Sequence, residues 1–328
     1  MIKGTTKLLG VIGYPIAHSL SPAMHNAAIA HLGVDFVYLP LPVKPEDLKT
    51  AIAGFSAIEL RGFSITIPHK QAILPLLAEI SPIARAIGAV NTVYMTEKGW
   101  CGTNTDAEGF LAPLQTSTPP TPPYQGGAQI LSSPPPYQGE AQILSSPPPY
   151  QGGVRGGSDW TQKVAVILGN GGAARAVVAG CLQLGCAQIH VVGRSEEKLT
   201  EFRQSWVDSP LPAANLHVHT WDNLSTLISQ ADLLVNTTPV GMYPHGEKSP
   251  VDEGTIDRIS PGAIAYDLIY NPSPTQFLKD AQARGAIAID GLEMLVQQGA
   301  AALKIWLDRE SVPVDIMRQA LRQHLGLE

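Results

Sequence analysis

The chain holds 328 residues, 44% of them hydrophobic, and carries a formal net charge of −6. That length suits two domains with sizeable cores, and the absence of a basic stripe argues against a nucleic-acid partner. No run resembles a signal peptide or is long enough to span a bilayer. Cys101, Cys181 and Cys186 have neither disulfide-framework nor zinc spacing, so a reducing cytoplasm and no metal site are expected.

Over the first hundred residues, strand and helix signals alternate, which points to an α/β sheet. Leu8 to Ile12 reads as a strand. A helix is predicted over Ser21 to Leu32, with Ser21 as N-cap, Pro22 at the first helical position and Gly33 after the end. Phe36 to Val43 is a second strand and Pro45 to Phe55 a proline-opened helix. In Phe63-Ser-Ile-Thr-Ile-Pro-His-Lys70 the apolar residues alternate with period two, as in a half-buried strand. Pro68 ends that strand and leaves Thr66, His69 and Lys70 at the mouth of the sheet, where open α/β sheets bind ligands. A further helix is predicted from about Gln71.

Three polar clusters accompany this lysine. Ser19 and Ser21 offer hydroxyls beside a helix N-terminus, a setting that favours a carboxylate or phosphate; taken alone, they also read as a cap and a turn. His18 and His25 read equally well as structural. Asn91 and Thr92 precede a strand over Val93 to Met95, and Asp106 stands ahead of Phe110 and Leu111, where by itself it reads as a helix cap. Lys70, Asn91 and Asp106 at element ends of one α/β unit can together bind a polyol and move a proton.

Pro113 to Pro149 contains 11 of the 28 prolines. Tyr124 to Pro136 recurs at Tyr137 to Pro149 with Gly127 replaced by Glu140, and a partial copy starts at Tyr150. Copies so few and so polar cannot build a solenoid core, and proline blocks both helix and ladder. The segment 115–158 is expected to be a disordered insertion, with proline-rich ligand activity as a lesser alternative.

Val164 to Leu168 is a continuous apolar run, typical of a buried parallel strand. It leads into Gly169-Asn-Gly-Gly-Ala-Ala-Arg175 and an Ala/Val-rich helix, a G-x-G-x-x-A fingerprint in its strand–turn–helix context. Gly169 permits the tight turn, Gly171 lets backbone approach a pyrophosphate, and Ala174 allows close helix packing. The next strand, Gln188 to Val192, ends in Gly193-Arg194-Ser195. Arg194 stands where an NAD site places an acid, and with Ser195 and Lys198 it favours NADP through the ribose 2′-phosphate. Leu233 to Asn236, Ala263 to Leu268 and Ile287 to Asp290 are the remaining strands. Tyr270 is expected to be exposed at a strand tip, and Gln298 falls on the second turn of a helix, where a solvated position is common. Val314 to Leu325 closes the chain as an amphipathic helix.

In combination these motifs resemble the shikimate dehydrogenase family, over 8–112 and 163–325. The carriers are Gly13-Tyr-Pro-Ile-Ala-His-Ser-Leu-Ser-Pro-Ala-Met-His-Asn26, Ile65-Thr-Ile-Pro-His-Lys70, Gly88-Ala-Val-Asn-Thr92, Asn104-Thr-Asp106, the glycine loop, Asn236-Thr-Thr-Pro-Val-Gly-Met242 and Gly291-Leu-Glu-Met-Leu-Val-Gln-Gln298. The resemblance implies NADPH-dependent, reversible reduction of 3-dehydroshikimate to shikimate, towards chorismate and the aromatic amino acids. It gives Ser19 and Ser21 to the substrate carboxylate, and Thr66, Asn91, Asp106 and Gln298 to the ring hydroxyls, with Tyr270 adding a contact. Lys70 and Asp106 form the catalytic pair. For the cofactor it implies Gly169, Asn170, Gly171, Gly172, Ala173, Arg194, Ser195, Lys198, Thr237, Met242, Leu268 and Gly291. Two departures stand out: Ser64, where the family usually has Asn, and Gly193, often Asn there.

The fold class expected is α/β. An N-terminal open α/β substrate unit (1–112, completed by helices in 292–328) precedes a Rossmann-type NADP-binding unit (161–291), with the Pro/Gly-rich insertion (113–160) between them. The partner is a small molecule, with no nucleic acid or membrane, and the chain is expected to be a monomer or homodimer. Two alternatives remain: a quinate/shikimate dehydrogenase preferring NAD, against which Arg194 argues, and a non-catalytic NADP-binding regulator, against which Lys70 and Asp106 argue.

Overall fold

A computed structural model describes residues 2–115, 159–207, 209–211 and 213–327. The repeats at 124–150, and the disorder expected of 115–158 beyond residue 115, lie outside the described residues. Two six-stranded sheets organise the chain, giving an α/β fold with two domains.

In the first sheet, β1 (Lys7–Gly13), β2 (Phe36–Pro42) and β3 (Gly62–Ile65) run parallel, with β1 in the middle. Strand β4 (Glu79–Ile80) is short, and β5 (Thr92–Thr96) and β6 (Gly99–Thr103) form an antiparallel pair. β5 also runs antiparallel to β3. The order is β2-β1-β3-β5-β6-β4, so the sheet is mixed. Helices α1 (Ser21–Leu32) and α2 (Leu48–Ala57) follow the predicted positions, α2 entered through a 3₁₀ turn at Pro45–Asp47. The helix expected from Gln71 shrinks to one turn, α3 (His69–Ala72), because Pro75 forces a 3₁₀ turn at Leu74–Leu76. Helices α4 (Pro82–Ile87) and α5 (Asp106–Gln115) complete this part, α5 continuing through Pro113.

The second sheet is wholly parallel. Its strands are β7 (Val164–Leu168), β8 (Gln188–Gly193), β9 (Leu216–Thr220), β10 (Leu233–Asn236), β11 (Ile264–Asp267) and β12 (Ile287–Ile289). Their order, β12-β11-β10-β7-β8-β9, is the doubly wound arrangement, with its switch point between β7 and β10. Helices α6 (Gly172–Leu184) and α7 (Glu196–Gln204) cover one face, and the short α8 (Leu224–Leu227) and α9 (Glu253–Ile256) with α10 (Gln276–Ala283) cover the other. Ile167, Val177 and Val191 pack in one layer and Val166, Leu168 and Leu234 in the other, as burial on both faces of a parallel strand requires.

The chain then returns to the first sheet. Helices α11 (Leu292–Leu307) and α12 (Val314–Leu325) bury Val296, Leu303, Met317 and Leu321 against Leu9, Val11, Met24 and Tyr38. Trp306 Nε1 donates to Val93 O at 2.9 Å. A Cβ at Gly62 would lie 2.3 Å from the Trp306 indole and 2.7 Å from Val93 O. Gly62→Ala should therefore destabilise the protein by about 1–3 kcal/mol, the scale of overpacking. Urea unfolding checks this: an unchanged midpoint would mean that α11 shifts freely on the sheet.

Two contacts join the parts built on the two sheets. Phe110 of α5 stacks on Tyr266 of β11 with ring centroids 5.2 Å apart. Arg175 of α6 donates through Nε to Ile87 O at the end of α4, and its guanidinium lies over Phe202 and Trp206. Burial lowers that guanidinium to about 10.

Candidate active site

The carboxyl ends of β1 and β3, the start of α5, the glycine loop and α11 meet around a cavity of about 180 Å³. Ser19, Ser21, Thr66, Lys70, Asn91, Asp106, Tyr270 and Gln298 all line it, and Ala173, Leu268 and Gly291 stand on the same wall. A larger, open depression of about 480 Å³ between Tyr14 and Lys44 holds none of these residues. The chemistry belongs to the smaller cavity.

Its centre is an ion pair. Lys70 Nζ donates to Asp106 Oδ2 at 2.5 Å, and the two side chains are 15% and 7% exposed. Asn91 Nδ2 donates to the other carboxylate oxygen at 2.8 Å. Asn91 Oδ1 accepts from Thr105 N at 2.8 Å and from Thr92 Oγ1 at 2.9 Å, which fixes the amide's orientation. Gln298 Oε1 accepts from Asn91 Nδ2 at 3.4 Å, while Gln298 Nε2 donates to Leu295 O. Gln298 is 8% exposed, so it does not occupy the solvated face expected of it. Helix α11 turns that position inward because the helix is sandwiched between α5 and the first sheet.

Several other expectations change. Asp106 does not cap its helix: Asn104 Oδ1 accepts the Asp106 N–H at 3.0 Å, leaving the carboxylate to the cavity. Ser21 is not an N-cap either. Leu20 holds that position without a side-chain cap, and Ser21 begins the helix, its N–H donating to Ser19 Oγ at 3.4 Å. Its hydroxyl is thereby left to the cavity. His69 turns away from the sheet mouth; it is buried and Nε2 bonds Val43 O at 2.7 Å. Tyr270 is half-buried rather than exposed at a tip, and burial pushes its phenol up, with the Leu20 backbone beside it.

Ser64 also lines the cavity, with Tyr38 and His25 packed behind it. Ser64 and Tyr38 bring buried hydroxyls without hydrogen bonds of normal geometry, the Tyr38 phenol lying near Ser64 and Ser21. His25 stacks on Tyr38 at 4.2 Å, and burial lowers its imidazole to about 3. Thr105 was legible only as part of the Asn-Thr-Asp run; its backbone link to Asn91 needed the fold.

The predicted cofactor residues fall in two groups. Gly169 has φ of 103°, and a Cβ there would meet Thr237 Oγ1 at 2.8 Å. Thr237 Oγ1 itself donates to Leu168 O, tying the turn to the loop after β10 that also carries Met242. A Cβ at Gly171 would meet nothing within 4 Å, so the approach over Asn170, Gly171 and Gly172 to the uncapped start of α6 is open. Free N–H groups at such a helix start suit a pyrophosphate. At Gly172 a Cβ would come within 3.3 Å of the Lys70 side chain, so the loop adjoins the ion pair. Arg194, Ser195 and Lys198 stand apart from the cavity, at the end of β8, where Ser195 Oγ accepts from Lys198 N and caps α7. These features fit a 2′-phosphorylated dinucleotide.

Known proteins agree with this geometry. The chain matches the shikimate dehydrogenase substrate binding domain over residues 11–93, shikimate / quinate 5-dehydrogenase over 154–251, and the shikimate 5′-dehydrogenase C-terminal domain over 291–322. It is 60% identical over 327 residues to the shikimate dehydrogenase (NADP(+)) of Trichormus variabilis, covering 100% of both chains. The shikimate dehydrogenase structure from Aquifex aeolicus superposes with a TM-score of 0.77 at 32% identity, over 98% of this chain and 100% of that one. The shikimate 5-dehydrogenase of Thermus thermophilus, solved with NADP(H) and shikimate, gives 0.74 at 30% identity, over 97% and 99%. With a cavity built on a lysine–aspartate pair beside a glycine loop, and relatives matching from end to end, this chain belongs to the shikimate/quinate dehydrogenase family.

Proposed function

We propose that this chain is an NADP-dependent oxidoreductase that reversibly reduces 3-dehydroshikimate to shikimate, a step of aromatic amino acid biosynthesis. The observation that carries the reading is the Lys70–Asp106 pair, held by Asn91 and adjoining Gly172 of the nucleotide loop. Residues 1–112 with 292–328 form the substrate unit and 161–291 the cofactor unit. All three cysteines are free, in keeping with a cytoplasmic enzyme; we take it to act as a monomer or homodimer. No helix among the described residues is long and apolar enough to cross a membrane.

Gly169, Asn170, Gly171, Gly172 and Ala173 hold the pyrophosphate, and Arg194, Ser195 and Lys198 the ribose 2′-phosphate. Thr237, Met242, Leu268 and Gly291 flank the nicotinamide. Bound there, NADPH supplies hydride to the ring ketone. Ser19 and Ser21 take the substrate carboxylate, leaving the ring hydroxyls to Thr66, Asn91, Asp106 and Gln298, with Tyr270 closing the edge. As the ketone oxygen gains negative charge, Lys70 Nζ hydrogen-bonds it and gives it a proton. Asp106 accepts from Lys70 and from a substrate hydroxyl, so it sets the angle at which the ammonium meets the oxygen. Lys70 regains its proton from solvent; in the oxidative direction it takes the proton instead.

Purified protein assayed with shikimate or quinate and NADP or NAD, in all four pairings, tests this. Turnover confined to shikimate with NADP is expected. Turnover with quinate and NAD in its place would move the chain to the broader quinate branch. Silence in every pairing, with NADP still bound, would leave a binding protein.

A further inference from the structure

At the end of β11, next to the cavity but outside it, a carboxylate has no role in the chemistry above. Asp267 is fully buried. Its Oδ1 accepts from Asn236 Nδ2 and from Ile269 N, each at 3.0 Å, and its Oδ2 accepts from Thr275 Oγ1 at 2.7 Å. Those donors come from three places: the end of β10, the loop after β11 and the N-cap of α10. Asn236 in turn organises its own loop, its Oδ1 accepting from Thr238 N and Thr238 Oγ1 and its Nδ2 also reaching Val240 O. One carboxylate therefore joins the segment carrying Thr237 and Met242 to the segment carrying Leu268 and Tyr270. Gly291 is wedged against the second segment, since a Cβ there would lie 2.2 Å from Leu268 O.

We propose that Asp267 is a positioning residue whose carboxylate clasps the loops after β10 and β11, and so sets the cavity wall that faces the cofactor. The proposal rests on reading this cavity as the shared shikimate and NADP site. A charged acceptor holds N–H and O–H donors more strongly than a neutral one, so the clasp is tightest when Asp267 is ionised. Among the described residues no cation pairs with that charge. Asn236, Ile269 N and Thr275 are neutral, and the charged group facing it, Asp290 beyond β12, has the same sign. Burial, with a smaller push from Asp290, raises the Asp267 carboxyl to about 7, against the three donors. The folded protein thus holds this proton more tightly than the unfolded chain does. The associated stability is complete below the ordinary carboxylate range and is lost as pH rises through about 7. Ionisation tightens the clasp and costs fold stability at once.

Asp267→Asn mimics the neutral state in the same volume, and Asp267→Ala removes both acceptor oxygens and so all three hydrogen bonds. NADPH affinity, read by cofactor fluorescence, and the Tm of cofactor-free protein are measured for each from pH 5.5 to 8.5. With Asn, the ratio of variant to wild-type Kd should climb from near one at acid pH to about threefold to tenfold at alkaline pH, less than the direct loss of a charge-assisted bond because Asp267 acts on the cofactor only through the wall. Over the same range its Tm should rise relative to wild type. The Ala variant, if folded, should bind weakly at every pH. An Asn ratio that stays at one, or stays constant with pH, overturns the proposal; so does affinity falling together with Tm. Wild-type turnover of shikimate with NADP is followed alongside, and its absence would sink the reading of the cavity rather than the clasp.

Discussion

Lys70→Ala should turn over shikimate about a hundredfold or more slowly than wild type while binding NADP with little change. A positioned general acid contributes about 10²–10⁴-fold, and Lys70 is the cation held at the cavity's centre, 2.5 Å from Asp106. The loss should fall on kcat more than on KM, because the lysine acts on charge that develops in the transition state and substrate grip is spread over many side chains. Lys70→Arg should not restore the rate, since a guanidinium does not give up its proton. Removal of the ammonium also leaves Asp106 charged and 7% exposed with Asn91 as its remaining donor. Some stability should therefore go too, up to the about 3–5 kcal/mol of breaking a fully buried pair. Circular dichroism and urea unfolding separate that cost from the chemical one. A folded Lys70→Ala enzyme with wild-type kcat would remove Lys70 from proton transfer.

Much of this was legible because local physics and tertiary demand agree. Ser21–Leu32 and Val314–Leu325 form helices over the predicted bounds, since proline or glycine marks their ends, and the second is also amphipathic. The glycine fingerprint could be placed because a wholly apolar strand runs straight into it. What escaped is what only neighbours decide. Strand β9, Leu-His-Val-His-Thr, has histidines at alternate positions where an apolar face is usual; at a sheet edge it stacks them, His190 ring on His217 at 5.3 Å. Ser21 and Asp106 looked like caps because capping is the local use of their side chains. In the fold Leu20 takes the cap position of α1 and Asn104 Oδ1 accepts the Asp106 N–H, and both polar groups turn to the cavity. Gln298 looked like a surface residue because its burial depends on α5 and the first sheet, neither adjacent in sequence. For Asp106 the reason is physical: Asn104 supplies the local hydrogen bond at the helix start, which frees the carboxylate for the cavity.

Arg194 should decide which dinucleotide the enzyme takes. It stands exposed at the end of β8, and its guanidinium makes no ion pair among the described residues, so its fork is free for a phosphate. Ser195 spends an oxygen lone pair on Lys198 N–H at 3.3 Å, which leaves its hydroxyl proton to donate, and Lys198 adds a flexible charge one turn into α7. A hydrogen bond to a charged group is worth about 1.5–3 kcal/mol, or about tenfold to 150-fold in affinity. Arg194→Gln should accordingly raise KM for NADP by about that factor while leaving KM for NAD and kcat at saturating NADP near wild type. Lys198→Ala should cost less, because a single exposed ammonium on a long stem is screened by salt and loses more entropy when held. Raising ionic strength should narrow the gap between wild type and Arg194→Gln for NADP and leave NAD unaffected. If both cofactors weaken equally, Arg194 serves the adenosine or the loop rather than the 2′-phosphate, and the preference for NADP must be sought in Ser195 and Lys198.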